Sequence, residues 1–344
     1  MAAVRALAAA AVLWLSAPAF SAAAPGSTAA NFLNLDVGAR PAAMAGTFAG
    51  LADGADAIAY NPAGLALLGR SEASFMHNRY LPGIRQEWFA ASFPTKHDGT
   101  FAASINTLVV EPFPAYDVND LPTGKVSAAD GAYGLAYARG LGGGWSLGAG
   151  AQLISSRLDD RTATTAAYDV GAHWRAWRAL ELGLSALHLG GGLRYISATE
   201  SLTRTIKFGA AFHPLVLLRQ LPYIDRLSLL LDASLPSGQS IVVSEGLECS
   251  FGPLSVRAGE RNGDYAGPGY TVGMGLALFR LEKNRPEIDF DYAFVDYGDL
   301  GAAHRAGLTV KFGASLNEKD GNRAKPGWKK KKVEPVYGPF FGPG

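Results

Sequence analysis

The chain has 344 residues, of which 48% are hydrophobic and only 18% charged, with 42 glycines and a formal net charge of +1 at pH 7. That balance excludes the broad basic field that draws nucleic acid. A single cysteine, Cys249, excludes an internal disulfide framework and a cysteine-based zinc site, and low charge with high glycine suits either a membrane barrel or a secreted all-β protein.

Residues 1–24 have the layout of a secretory signal peptide. Arg5 supplies the positive start, and Ala6 to Leu15 is an apolar run too short to span a bilayer. Small residues at Ala19 and from Ser21 to Ala24 suit cleavage. Export is therefore expected. No later stretch reaches the roughly 18 uninterrupted apolar residues of a membrane-spanning helix. In a membrane, this chain would cross as strands.

Residues 25–70 precede the first alternating segment. From Gly38 to Leu68 they are rich in glycine and alanine, and Gly46, Gly50, Gly54 and Pro62 punctuate any helix. The pattern predicts short helical pieces over roughly 42–51 and 56–60. A turn at 52–55 joins them, and a kink follows at Asn61-Pro62. Small residues allow close packing against surrounding walls.

Residues 71–313 alternate with period two. In the last segment Ala306, Leu308, Val310 and Phe312 alternate with Arg305, Gly307, Thr309 and Lys311. Successive strand side chains face opposite ways, so each segment has one apolar and one polar face. About fourteen such segments fall near 71–79, 86–94, 99–110, 131–140, 145–156, 167–177, 179–189, 204–212, 226–235, 242–251, 253–262, 269–280, 286–296 and 304–313. Most have the length of a tilted strand crossing a bilayer. A closed antiparallel barrel leaves no unpaired edge in lipid. A soluble β-sandwich explains the alternation as well, but explains the strand length and the glycine less well.

Connections at 140–144, 177–178 and 252–253 are short, whereas 111–130, 190–203 and 213–225 are long. Short turns belong on the periplasmic side and long loops outside. Trp145, Trp174, Trp177, Tyr270 and Phe279, near strand ends, are candidates for interfacial aromatic girdles. Apolar side chains in two of the long loops, Phe113, Tyr116, Leu215, Leu218 and Tyr223, are candidate ligand contacts. Asp289 and Asp291 are expected to pair in the lumen with Arg305 and Lys311 on the neighbouring strand. Residues 314–344, with the run Lys329 to Lys332, are expected to form a basic, disordered periplasmic tail.

A family resemblance rests on these residues. Gly38-Ala39-Arg40, Met44-Ala45-Gly46, Leu51-Ala52-Asp53 and Asn61-Pro62-Ala63-Gly64-Leu65 resemble the opening of the PorV/PorQ outer-membrane proteins, relatives of the FadL long-chain fatty-acid transporters. Val256-Arg257-Ala258-Gly259, Asp291-Tyr292-Ala293-Phe294 and Gly298-Asp299-Leu300-Gly301 resemble their closing strands. The basic tail departs from that pattern. The resemblance implies a fourteen-stranded barrel with an N-terminal hatch in its lumen. Gly38, Arg40, Met44, Gly46 and Asp53 would belong to the hatch, and Asn61, Pro62, Ala63 and Gly64 would form its motif.

The family divides in function. FadL-like members pass hydrophobic small molecules, and PorV-like members serve type IX protein secretion. The expected partners are outer-membrane lipid, an apolar cargo or secretion-system proteins, and a purely structural role is a further alternative. No cofactor, metal or nucleic acid is expected. An enzyme is not expected either, because the chain carries neither a Gly-x-Ser-x-Gly elbow nor a His-Glu-x-x-His motif.

Overall fold

The computed structural model describes residues 28–217, 224–262, 269–278, 286–313 and 316. The expected signal peptide, nearly all of the expected tail, Leu218, Tyr223 and Phe279 lie outside the described residues.

Fourteen antiparallel strands form a closed barrel, with each strand paired to its neighbours and the first paired to the last. They are β1 (Ser71–Leu81), β2 (Ile84–Pro94), β3 (Thr100–Tyr116), β4 (Pro122–Gly142), β5 (Trp145–Leu158), β6 (Arg161–Trp177) and β7 (Leu180–Gly190), then β10 (Thr205–Phe212), β11 (Arg226–Pro236), β12 (Val242–Phe251), β13 (Leu254–Asn262), β14 (Tyr270–Leu278), β15 (Glu287–Asp296) and β16 (Ala302–Phe312). A short separate hairpin, β8 (Gly192–Arg194) with β9 (Thr199–Ser201), lies between β7 and β10, in a stretch expected to be loop. Closure runs from Ser71 opposite Phe312 to Arg79 opposite His304.

The faces decide between barrel and sandwich. Phe75, Ile105, Leu184, Leu231, Met274 and Leu308 are exposed on the outside, whereas Asn78, Gln86, His173, Asp232, Glu248 and Arg305 are buried. A water-soluble protein buries the first set and exposes the second. Apolar-out, polar-in alternation is the pattern of a barrel whose solvent is lipid. Among the described residues no helix is long and apolar enough to cross a membrane.

The strands define two ends. Ser71 and Phe312 lie at the terminal end, together with the turns after β2, β4, β6 and β12. The connection that starts at His213, after β10, leaves the wall at this end too. This corrects its placement with the long outer loops and moves Leu215 away from 111–130 and 190–203, which lie at the distal end. Trp145 stacks on Trp174 at the terminal end, with ring centroids 5.0 Å apart.

The segment 111–130 is also corrected. It is mostly strand, and it carries Phe113 and Tyr116 on β3 rather than on a loop. Pairing of β2 with β3 ends at Ile84 opposite Val110, and pairing of β4 with β5 ends at Leu158 opposite Ala128. The ribbon beyond has neither a buried face nor a flanking strand, so its sequence shows no alternation. Pro112 and Pro114 fit an open edge, where no ladder partner awaits a donor.

The N-terminal segment also differs in detail from its expected helices. Helix covers only Ala39–Ala42, and 43–51 is a series of turns. Ala45, Gly46 and Ala52 take φ of 52°, 73° and 35°, which a right-handed helix cannot accommodate. Ala57–Tyr60 is helical, and Pro62–Leu67 forms an additional 3₁₀ helix. This segment fills the lumen. Inward glycines let its backbone approach the wall: a methyl at Gly183 would collide with the Ala49 carbonyl, at Gly171 with Asn61, at Gly259 with Met44, and at Gly307 with Ala39. These four glycines lie on β7, β6, β13 and β16, so the segment touches the wall around most of its circumference.

Candidate functional site

The lumen-filling segment is anchored first by Asn61. The residue before a proline is pushed into extended backbone, and Asn61 takes φ −157° and ψ 100°. Its side-chain oxygen then accepts the Ala63 N–H and caps the 3₁₀ helix. Its Nδ2 donates to the carbonyls of Ala49, within the segment, and Ala172, on β6, both at 3.0 Å. The Asn-Pro-Ala-Gly motif is thus a buried staple. Pro62 starts the helix, Ala63 is fully buried, and a methyl at Gly64 would collide with the Ala52 carbonyl.

Charge fixes one side of the segment. Arg40 donates from Nη1 to Asp53 Oδ1 at 2.6 Å and from Nε to Glu248 Oε2 at 2.7 Å. Arg226 Nη2 donates to Asp53 Oδ2 at 2.7 Å. Arg257 reaches Glu248 Oε2 at 2.8 Å and Asp291 Oδ1 at 2.6 Å. Three guanidiniums and three carboxylates therefore link the segment to β11, β12, β13 and β15. Burial alone would raise the Asp53 carboxyl, but Arg40 and Arg226 together outweigh it and hold the group below the usual carboxylate range. Gly38, with φ of 76°, enters the helix that presents Arg40, and a methyl there would strike Asp56. Met44 is fully buried, and Gly46 sits against Asp36 and Arg261.

The expected lumen pairs form in part. Lys311 Nζ meets Asp289 Oδ2 at 2.9 Å. Asp291 pairs with Arg257 and not with Arg305. Gly275 lies opposite Asp291 on the intervening β14, and its missing side chain opens the way for the Arg257 guanidinium. Arg305 instead turns into the lumen, donating to the Asp36 carbonyl at 2.6 Å and to the Tyr297 hydroxyl at 2.9 Å.

The opposite side is apolar. Met76, Trp88, Ala90, Ala102, Ala136 and Ala138 of β1–β4 pack on Leu51, Ile58 and Leu65. Among the described residues a single hydrogen bond joins β2–β4 to the segment, from Trp88 Nε1 to Asp56 Oδ1 at 2.7 Å. Burial raises the Asp56 carboxyl, and the Trp88 and Ser74 donors only partly oppose it.

The segment divides the lumen into two chambers. The distal one is lined by Leu33, Val37, Ile58, Tyr60, Trp88 and Lys207, together with polar side chains of β5–β7 and β10–β13. Lys207 Nζ stands 5.1 Å above the Tyr60 ring. The terminal one is lined by the ion network with Asp56, Glu72, Asp289 and Lys311. Phe113 and Tyr116 line neither chamber. Sequence reasoning missed Trp88, Asp56, Glu248 and Arg257. Glu248 and Arg257 stand directly opposite on adjacent strands, with inward parity, and that juxtaposition was the available signal.

The architecture is a membrane-spanning β-barrel of the FadL-like fold. The Ralstonia pickettii toluene transporter TbuX superposes with a TM-score of 0.55 at 13% identity, over 80% of this chain and 97% of its own. The P. putida toluene transporter TodX gives 0.53 at 12%, over 80% and 96%. The CymD monoaromatic hydrocarbon channel gives 0.54 at 10%, over 81% and 97%. At such identities the likeness is one of fold. No protein-family model matches the sequence, and a search of curated proteins finds no match.

Proposed function

We propose that this protein is an outer-membrane barrel that binds apolar small molecules in its distal chamber and passes them inward, without catalysing a reaction. The observation that carries the reading is the filled lumen, which keeps a chamber on each side of the segment. The fold is shared with transporters of toluene and other monoaromatic hydrocarbons, which supports the cargo class. In this reading residues 1–24 direct export, 25–70 are the hatch, 71–313 the wall and 314–344 a periplasmic tail. The terminal end, with most of the short turns, faces the periplasm. Apolar cargo leaving water for the chamber gains roughly 25 cal/mol per Å² buried.

Native mass spectrometry of protein extracted gently from its own membrane tests this. A retained small apolar molecule is the expected result. An empty barrel that co-purifies with another protein would displace the reading. It would favour PorV/PorQ-type membership and a shuttle role in type IX secretion. The exposed ribbon 111–127, with Phe113, Tyr116 and Val118, favours that second reading, because it offers a protein partner apolar side chains beyond the barrel rim. Conductance in planar bilayers tests the hatch. Deleting Arg40 to Leu68 should make the barrel leak small ions, and unchanged conductance would remove the hatch role.

A further inference from the structure

The two chambers come together at Trp88. Its indole lines the distal chamber beside Ile58 and Tyr60. Its N–H reaches Asp56, which lines the terminal chamber with Phe48 and Glu72. Next to this contact, Phe48 from the terminal side meets Tyr60 from the distal side edge-on, with centroids 5.5 Å apart. At this point the chambers are separated by pairs of side chains in contact, Trp88 on Asp56 and Tyr60 on Phe48.

We propose that cargo crosses the hatch here, between the Trp88 indole and the Asp56–Tyr60 turn. The Trp88–Asp56 hydrogen bond is the latch, and the rings of Trp88, Tyr60 and Phe48 favour flat apolar molecules.

The alternative paths carry heavier ties. On the β11–β15 side, movement of Arg40 or Asp53 separates ions that share partners with Arg226, Arg257 and Glu248, and stranding a buried ion is strongly unfavourable. On the β5–β7 side, Ser146 donates to the Ala63 carbonyl, Ser185 to the Tyr60 carbonyl and Asn61 to the Ala172 carbonyl. At the β2–β4 seam the wall offers Ala90, Ala102, Ala136 and Ala138, which hold no polar group of the hatch. Swinging Trp88 aside breaks one hydrogen bond and exposes apolar area. An apolar molecule passing through covers that area while the gap is open, so the cargo stabilises its own path. Aromatic faces and edges also give a flat ring favourable contacts that a branched aliphatic molecule lacks.

The identity of the cargo rests on the transport reading, but the latch does not. The test uses the full-length protein in planar bilayers and in liposomes. Asp56→Ala removes the acceptor and leaves the indole. Trp88→Phe removes the donor and keeps a ring. Asp56→Asn keeps an acceptor for the indole N–H. Asp56→Ala and Trp88→Phe should each raise the open probability for small ions by about fivefold to tenfold, the ratio that one hydrogen bond commands. Asp56→Asn should stay near wild type. Retained heat-modifiable gel migration shows that each variant has folded. Wild-type conductance in both Asp56→Ala and Trp88→Phe would overturn the latch, as would Asp56→Asn leaking like Asp56→Ala.

Toluene entry into liposomes separates the two readings. If entry is measurable in wild type and unmoved in Trp88→Phe, the route is wrong and transport stands. If the variants leak ions but no protein admits toluene, the latch stands and this cargo class is wrong. A wild-type preference for toluene over isooctane that disappears in Trp88→Ala supports selection by the rings, and a preference unchanged in that variant removes it.

Discussion

The lumen-filling segment of forty-odd residues meets opposite chemistry on its β11–β15 side and its β1–β4 side. On the first, three guanidiniums and three carboxylates share bonds, and Glu248 alone accepts from Arg40 and Arg257. On the second, alanines, Met76 and Trp88 make apolar contact; β2–β4 add one hydrogen bond, and on β1 Glu72 accepts the Ala55 N–H and Ser74 bonds Asp56. A shared ion network resists partial movement, because shifting any member leaves the buried Glu248 or Arg257 short of a partner. Apolar contact is graded, since area can be exposed a little at a time and covered by another apolar surface. The ionic side therefore fixes where the segment sits, and the proposed route follows the side whose contacts can open by degrees.

The largest effect should come from the centre of the network. Glu248→Gln leaves three guanidiniums with too little negative charge, and breaking a buried pair this way costs about 3–5 kcal/mol. The midpoint of urea unfolding, or of heat-induced gel mobility, measures it. Asp291→Leu should lower heat stability less, because Arg257 keeps Glu248. A Glu248→Gln protein as stable as wild type would mean that the ions are individually solvated, and the contrast between the two sides would collapse. The seam gives the next effect. Leu65 is fully buried there, and Leu65→Ala should cost about 2–4 kcal/mol through lost transfer energy and an unfilled cavity. It should also raise ion leakage, whereas a substitution on the ionic side that keeps the protein folded should raise leakage less.

Much of this was legible in the sequence, for one physical reason. A wall with lipid outside and polar groups inside must alternate, so all fourteen barrel strands show in the period-two pattern, with the closing strand 304–313 against an observed Ala302–Phe312. The ribbon at 111–130 was hidden because alternation records a buried face and the ribbon has none. The inward orientation of Asp291, Arg305 and Lys311 was legible too, but the partner of Asp291 was not. Arg257 reaches it across Gly275, a path that depends on a missing side chain on the strand between. The hatch showed its small residues and its kink at Asn61-Pro62. Its turns at 43–51 depend on the wall, where Thr271 Oγ1 donates to the Ala43 carbonyl and accepts the Ala45 N–H, and no local propensity encodes that.

Asn61 tests whether the motif acts as a staple. Asn61→Ala removes a cap and two donated hydrogen bonds, for a loss of about 1–2 kcal/mol. Asn61→Asp keeps the cap but sets a carboxylate oxygen against the Ala49 and Ala172 carbonyls in a buried site, so its melting point should fall below that of Asn61→Ala. Equal melting points for all three proteins would leave the motif with no holding role.

The smallest effect compares the two sides through pH. Burial raises the carboxyl of Asp56, so its folded value lies above the unfolded value of about 3.9. Such a group contributes most below the unfolded value and loses that contribution as pH rises through the folded one. Above that folded value the wild-type seam carries a buried charge that Asp56→Asn does not. Asp53 has the opposite sign. Arg40 and Arg226 hold it low, so its contribution is full above about pH 3.9 and is lost only as pH falls through its folded value. Melting temperatures of wild type, Asp56→Asn and Asp53→Asn between pH 7 and 4 separate the two. Asp56→Asn should match or exceed wild type at pH 7, and its advantage should shrink toward pH 4. Asp53→Asn should melt below wild type across that range. An Asp56→Asn difference that stays constant with pH would mean that Asp56 does not titrate in this range with a folded value above the unfolded one, and the contrast with Asp53 would fail.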